Sequence, residues 1–244
     1  MNRFFLPPDC INDQQVQFPA DVTHQIRNVL RMTRGDVVAV LDNSGRVYLV
    51  VLDSMASGSL TGQVESVRAA ASEPKTRLTL CFGLTSRDKV EWILQKGTEV
   101  GVARFSPFIS SRTLAQDTHL TDKKIARWER IIKEAAEQSQ RGRLPELDAP
   151  QTLGEVFADV QSNDEAALIA WEDAAQGQSL RQTLSDLPAD SLILIVGPEG
   201  GFSEEEIAQA KTAGCRIVSL GPRILRMETA AIVMPALVLF ELEN

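Results

Sequence analysis

Ser191–Phe240, reading SLILIVGPEGGFSEEEIAQAKTAGCRIVSLGPRILRMETAAIVMPALVLF, decides the architecture. Its apolar opening, Leu192–Val196, is too short for a globular helix and rich in β-branched residues, which predicts a buried strand. Gly197-Pro198-Glu199-Gly200-Gly201 then puts three glycines and a proline into one loop. Ser203 with Glu206 three residues on is a capping box, predicting a helix that runs to about Ala213 and stops at Gly214. Arg216–Leu220 predicts a second strand, Gly221-Pro222 a second loop, and Leu225–Phe240 a closing helix, apolar on nearly every side and so expected to be buried all round. Two glycine loops at the carboxyl ends of two strands make a crevice, the place where open α/β sheets bind ligands.

Upstream, the same alternation continues. Arg77–Phe82, Phe105–Ser110 and Ala166–Trp171 predict strands, while Arg87–Val100, Asp122–Gln138 and a stretch near Leu180–Leu187 predict helices. Strands alternating with helices imply an α/β fold with a mostly parallel sheet covered on both faces. The first part of the chain differs. Val37–Leu41, Arg46–Leu52 and Leu60–Val67 are β-branched runs parted by turns at Asp42–Gly45 and Ser57–Ser59. Val67–Pro74 reads as a linker, so residues 1–72 form a small β-rich domain and 73–244 the α/β domain. A short helix over His24–Met32 would set His24, Arg27, Arg31 and Arg34 along one side, a stripe able to grip a polyanion or simply a solvated face.

The 244 residues are 43% hydrophobic and 24% charged, the balance of a soluble globular protein. No apolar run approaches the roughly 18 residues of a membrane helix, and MNRFFLPPDC lacks a signal-peptide core, so a cytoplasmic protein is expected. Three scattered cysteines, Cys10, Cys81 and Cys215, suggest neither a disulfide frame nor a metal site. The net charge of −8 hides an uneven distribution. Residues 75–147 carry 14 Lys+Arg against 9 Asp+Glu, whereas 148–244 carry 5 against 16. Local sign governs contact with phosphates, so the basic middle permits an RNA partner.

The glycine loop invites a phosphate-binding reading, and its neighbours argue against one. Gly201 is followed by Phe202-Ser203 with no lysine, so the P-loop pattern fails, and G-x-G-x-x-G is absent. Glu204, Glu205 and Glu206 occupy the first turn of the next helix, where a phosphate would meet carboxylates. A flat, uncharged ring held by main-chain groups, such as adenine, fits better, with a plain tight turn as the alternative. The two histidines, His24 and His119, sit in no nucleophilic arrangement. Arg223, Arg226 and Glu228 are charges beside an apolar segment, which reads as a site or as a structural ion pair.

Gly197-Pro198-Glu199-Gly200-Gly201-Phe202-Ser203 and Leu220-Gly221-Pro222-Arg223-Ile224-Leu225-Arg226-Met227-Glu228-Thr229-Ala230 strongly resemble the RsmE family of SPOUT-type RNA methyltransferases. Val29-Leu30-Arg31 with Gly35-Asp36, Gln95–Val102 and Glu137–Arg141 extend the resemblance over the whole chain. Met227 stands where the family has threonine, and Gln140 where a small residue is usual. The resemblance implies methylation of N3 of one uridine in 16S ribosomal RNA of the small subunit, with S-adenosylmethionine as donor. It also implies a deep trefoil knot in the α/β domain, a PUA-like β-barrel before it, and a homodimer. Rival readings are another RNA target, such as transfer RNA, and a non-catalytic RNA-binding assembly factor.

Carried onto this chain, the resemblance places the cofactor against Val196, Gly197, Glu199, Gly200 and Gly201. Leu220, Gly221, Ile224, Leu225 and Met227 form a second wall, and Ala170, Trp171 and Glu172 a third. Arg226, Glu228 and Arg141 are the catalytic candidates, with Arg27, Arg31, Arg34 and Arg143 on RNA. Arginine stays protonated and is a poor base, so Arg226 or Arg141 would stabilise charge on the ring oxygens while Glu228 or a water takes the N3 proton.

Overall fold

The computed structural model describes residues 1–12, 14–54, 59–113, 120–162, 165–172, 178–185, 187 and 190–243. Ser57, Gly58 and His119 lie outside the described residues. The chain divides into two compact units, Met1–Glu73 with Ala136–Leu144, and Pro74–Ala135 with Pro145–Asn244.

The first unit is built on five strands, β1 (Arg3–Phe5), β2 (Gln15–Phe18), β3 (Val37–Leu41), β4 (Arg46–Leu52) and β5 (Leu60–Ala69). They form one sheet in the order β1-β3-β4-β5-β2, parallel only between β1 and β3. The β3–β4 hairpin closes where expected. Asn43 and Gly45 adopt positive φ, and the Asp42 carboxylate accepts the Ser44 N–H at 2.9 Å. Alternation sends Val38, Val40, Val50 and Leu52 into one apolar cluster and Ala39, Leu41 and Val47 into another. Ala136 joins the second cluster, so Ala136–Leu144 belongs with this unit despite its place in the sequence. The helix expected over His24–Met32 is not continuous. An α-helical turn, α1 (Ala20–His24), widens into a π-helical turn at Gln25–Val29, and Arg31 has φ 54°. Both changes rotate the later residues off the helix face, so His24, Arg27, Arg31 and Arg34 do not form a single stripe. The linker is also shorter than the sequence suggests, because β5 extends to Ala69.

The second unit is an α/β layer structure. In chain order it contains β6 (Arg77–Gly83), α2 (Arg87–Val100), β7 (Arg104–Ile109), α3 (Asp122–Gln138), β8 (Glu146–Leu147), β9 (Gln151–Thr152) and α4 (Leu153–Ser162). There follow β10 (Ala166–Ala170), β11 (Gln178–Ser179), α5 (Leu180–Leu184), β12 (Ser191–Val196), α6 (Glu204–Thr212), β13 (Arg216–Ser219) and α7 (Met227–Glu243). The strands run parallel in the order β11-β13-β10-β12-β6-β7-β8, with β9 also on β7. Leu192, Leu194, Leu78, Leu80 and Phe82 point to one face and pack with α2 and α7, while Ile193, Ile195 and Cys81 point to the other, against α4 and α6. That two-sided burial explains why these strands read as continuous apolar runs. Burial pushes the Cys81 and Cys215 thiols up to about 12 and about 11, which leaves both unreactive.

The closing helix begins at Met227, two residues later than expected, and continues through Pro235. It is not buried all round in this chain: Leu237 is 40% and Phe240 65% exposed. Among the described residues no helix is long and apolar enough to cross a membrane.

One ion-pair cluster locks α2 to α3. Glu91 accepts Arg127 Nε at 2.5 Å and Nη2 at 2.8 Å, and Arg87 Nε at 2.8 Å. The Arg127 bonds, then those from Arg87, pull its carboxyl from 4.5 to about 2 despite burial. A depressed folded value stabilises the protein above the ordinary value and loses that contribution as pH falls through the folded one. Because both arginines are solvent-screened, Glu91→Gln should lower stability by about 1 kcal/mol at pH 7. Urea midpoints of variant and parent, measured downward from neutral pH, should converge between 4.5 and about 2.

Candidate functional site

Strands β10, β12 and β13 are neighbours, and Ala170 pairs with Val196 on one side and Val218 on the other. β10 and β12 end level and β13 runs one residue further, so three loops leave the carboxyl ends of adjacent strands: Trp171-Glu172, Gly197–Gly201 and Leu220–Arg226. With the start of α7 they enclose a cavity of about 450 Å³, within the range of small-molecule sites. The thirteen residues nominated as its walls all line it: Ala170, Trp171, Glu172, Val196, Gly197, Glu199, Gly200, Gly201, Leu220, Gly221, Ile224, Leu225 and Met227. Arg223, Arg226 and Glu228 line it too.

The glycine loop is held by specific contacts. Gly201 N–H donates to the Pro198 carbonyl at 2.9 Å, closing a tight turn. Phe202 stacks on Phe108 at 6.3 Å, and Arg112 Nη1 donates to the Gly200 and Phe202 carbonyls at 3.1 and 3.3 Å. Gly201 has φ 66°, and a Cβ there would meet Glu172 Oε1 at 2.9 Å. Beneath the loop lies Gly83, the last residue of β6, where a Cβ would sit 2.6 Å from Pro198 N and 2.7 Å from its Cα. Since backbone cannot yield as a side chain can, Gly83→Val should displace the loop. Overpacking of this kind costs about 1–3 kcal/mol, so the variant should stay folded. Its affinity for a cavity ligand should fall at least about tenfold, as expected from 1.4 kcal/mol of lost loop order, measurable by calorimetry.

The start of α6 is closed to anions. Ser203 Oγ accepts the Glu206 N–H at 3.1 Å, and Glu206 Oε2 accepts the Ser203 N–H at 2.8 Å. Glu206 Oε1 takes the Ser111 N–H and hydroxyl at 3.0 and 2.8 Å. Burial pushes the Glu206 carboxyl up, but these bonds together outweigh it and hold it low. The helix end thus carries an ionised carboxylate where a phosphate would need to sit.

Opposite the glycine loop, the Arg226 carbonyl accepts the Ala230 N–H at 2.8 Å, so Arg226 caps α7 and Glu228 occupies its first turn. A carboxylate is favourable at a helix start. Lys89 of α2 reaches into the same cavity, with Nζ 2.7 Å from Glu199 Oε1 and 3.5 Å from Glu228 Oε2. Thr85 donates its hydroxyl to Glu199 Oε1 at 2.6 Å. Hydrogen bonds from Lys89, then Thr85, hold the Glu199 carboxyl below the usual range, and the Glu199 bond raises Lys89.

Lys89, Pro198, Phe202, Ser219 and Ala230 also line the cavity and are not among the residues nominated for it. Lys89 lies on an amphipathic helix more than a hundred residues from the glycine loop, and its spacing marks it only as polar. The remaining nominated residues belong to the first unit. Arg141 is 3% exposed, and its Nε and Nη2 each meet Glu73 at 2.9 Å. Arg27 Nη2 donates to the Ser59 carbonyl at 2.7 Å, Arg34 pairs with Asp53 at 3.0 Å, and Arg143 Nη2 donates to the Ser44 carbonyl at 2.6 Å. Arg31 occupies the left-handed backbone position after the π-helical turn.

A family model described as an RNA methyltransferase domain matches residues 72–239. The ribosomal RNA small subunit methyltransferase E of Synechocystis sp. is 36% identical over 231 residues, covering 93% of this chain and 74% of that protein. Its counterpart in Bacillus subtilis is 33% identical over 240 residues, covering 94% and 93%. In fold, the chain is similar to the crystal structure of a ribosomal RNA small subunit methyltransferase E from Neisseria gonorrhoeae bound to S-adenosyl methionine. There the TM-score is 0.85 at 28% identity, with 97% and 96% of the two chains covered.

Proposed function

The chain belongs to the RNA methyltransferase family, among the ribosomal RNA small subunit methyltransferase E proteins, and from that premise we propose S-adenosylmethionine-dependent methylation of N3 of a uridine in 16S ribosomal RNA. One observation carries the reading: three strand-end loops and the first turn of α7 converge on one cavity, with Arg226 and Glu228 on its wall. The donor set suits this cofactor. The glycine loop has no lysine and the start of α6 holds carboxylates, which disfavours phosphates. Apolar walls from Val196, Leu220, Leu225 and Met227 suit a purine, and Glu172, Glu199 and Glu228 tolerate a cation.

S-adenosylmethionine, when bound, supplies an electrophilic methyl group on a sulfonium. The chain supplies the rest. The guanidinium of Arg226 donates to a ring oxygen of the uracil, where negative charge grows as N3 loses its proton. Glu228 accepts that proton. Arg141 is set aside for this role because Glu73 already occupies its Nε and Nη2. Positioning is the larger share of the rate, since effective molarity supplies about 7–11 kcal/mol.

The α/β unit is read as the trefoil-knotted SPOUT domain and the first unit as a PUA-like barrel that contacts RNA. Exposed Leu237 and Phe240 on α7 and Trp92 on α2 fit a homodimer interface. The site of action is the cytoplasm, where ribosomal subunits are assembled. The test incubates the protein and labelled S-adenosylmethionine with small subunits from a strain lacking it, followed by nucleoside mass spectrometry. One 3-methyluridine per 16S chain is expected. Label confined to transfer RNA would move the target, and no label at all would favour a non-catalytic assembly factor.

A further inference from the structure

Glu228 is held in an unusual way. Its side chain is 17% exposed, yet its Oε2 is buried and meets no hydrogen-bond donor among the described residues. The nearest cation is Lys89, 3.5 Å away, whose Nζ is already bonded to Glu199 at 2.7 Å. Lys89 therefore stands between two carboxylates on opposite walls, one in the glycine loop and one in the first turn of α7. A buried carboxylate oxygen without a donor is unfavourable unless a cation offsets it. Around Glu228 the charged groups lining the cavity are Lys89 from α2, Glu199 from the β12 loop, Glu172 from the β10 loop, and Arg223 and Arg226 before α7. Of these, Lys89 is the cation within ion-pair distance among the described residues.

We infer that Lys89 is a positioning residue for methyl transfer: it holds the inner oxygen of Glu228 and so presents the other to the target base. The inference rests on the proposed role of Glu228 as proton acceptor. It gives a lysine remote in sequence a role in turnover rather than in cofactor affinity. It also explains why Lys89 stays at the wall although its neighbours Val90, Ile93 and Leu94 turn into the core.

The test measures kcat with saturating small subunits, together with the S-adenosylmethionine Kd by calorimetry and thermal melting. Lys89→Met and Lys89→Gln should each lower kcat about 10–100-fold, the range of a single general-acid–base contribution or less. The Kd should stay within about threefold, well under the 1.4 kcal/mol of a tenfold change. Lys89→Arg, which keeps the cation, should recover most of the rate. Because the lysine acts through Glu228, Lys89→Met combined with Glu228→Gln should be no slower than Glu228→Gln alone. A kcat within twofold of the parent, a loss confined to Kd, or additive losses in the double variant would overturn the inference. A parent protein that transfers no methyl group would overturn the reading of function instead.

Discussion

Arg141→Ala is expected to destabilise the protein by about 3 kcal/mol, the low end of the range for breaking a buried ion pair. Arg141 is almost fully buried, and removing it leaves the Glu73 carboxylate, itself 23% exposed, with no ion-pair partner within 4.0 Å among the described residues. Burial alone would push the Glu73 carboxyl up. The Arg141 bonds and charge, with the Gly142 and Arg143 N–H groups, outweigh that and hold it low. Glu73 also caps the chain reversal that follows α3, accepting the Gly142 N–H at 2.7 Å. At 2–4 °C per kcal/mol for a chain of this size, Tm should fall by about 6–12 °C. The loss should shrink in acid, because a carboxylate with a depressed folded value contributes stability only above that value. Melting and kcat measured on the same preparation separate a structural role from a catalytic one. A variant with parent-like Tm and abolished turnover would make Arg141 a site residue after all.

The contrast between Arg141 and Arg226 shows what a sequence conveys here. The resemblance nominates both for catalysis, and spacing does not tell them apart. The glycine loops were legible because backbone punctuation is local: Gly197–Gly201 and Gly221-Pro222 mark strand ends without reference to anything distant. The strands β6, β10 and β12 were legible for a related reason, since burial on both faces writes an unbroken apolar run. Lys89, Gly83 and Arg112 were not, because each matters only through a neighbour on another strand or loop. Gly83 is one glycine among 15 until Pro198 is seen against it. The π-helical turn at Gln25–Val29 escaped for the opposite reason: the local pattern was helical, and a single wider turn shifts every later residue off the predicted face.

Arg226→Ala should lower kcat about 10²–10³-fold, the loss seen when one donor to a developing oxyanion is removed. The expectation rests on the proposed role of Arg226 and on its surroundings. Its carbonyl anchors the first turn of α7, fixing its backbone, while its side chain is exposed and lines the cavity. Among the described residues no carboxylate lies within 4.0 Å of its guanidinium, so no internal ion pair is lost on truncation. Tm should therefore move by no more than about 2 °C, in line with a surface substitution of 0.5 kcal/mol or less. The S-adenosylmethionine Kd should change less than about threefold, because charge on the base oxygens grows only in the transition state. Arg226→Lys should recover part of the rate, as it restores the charge but not the planar donor pair. A turnover within threefold of the parent would mean that another group steadies the developing anion. An equal loss in kcat and cofactor binding would mean that the side chain holds the cavity open rather than acting on the base.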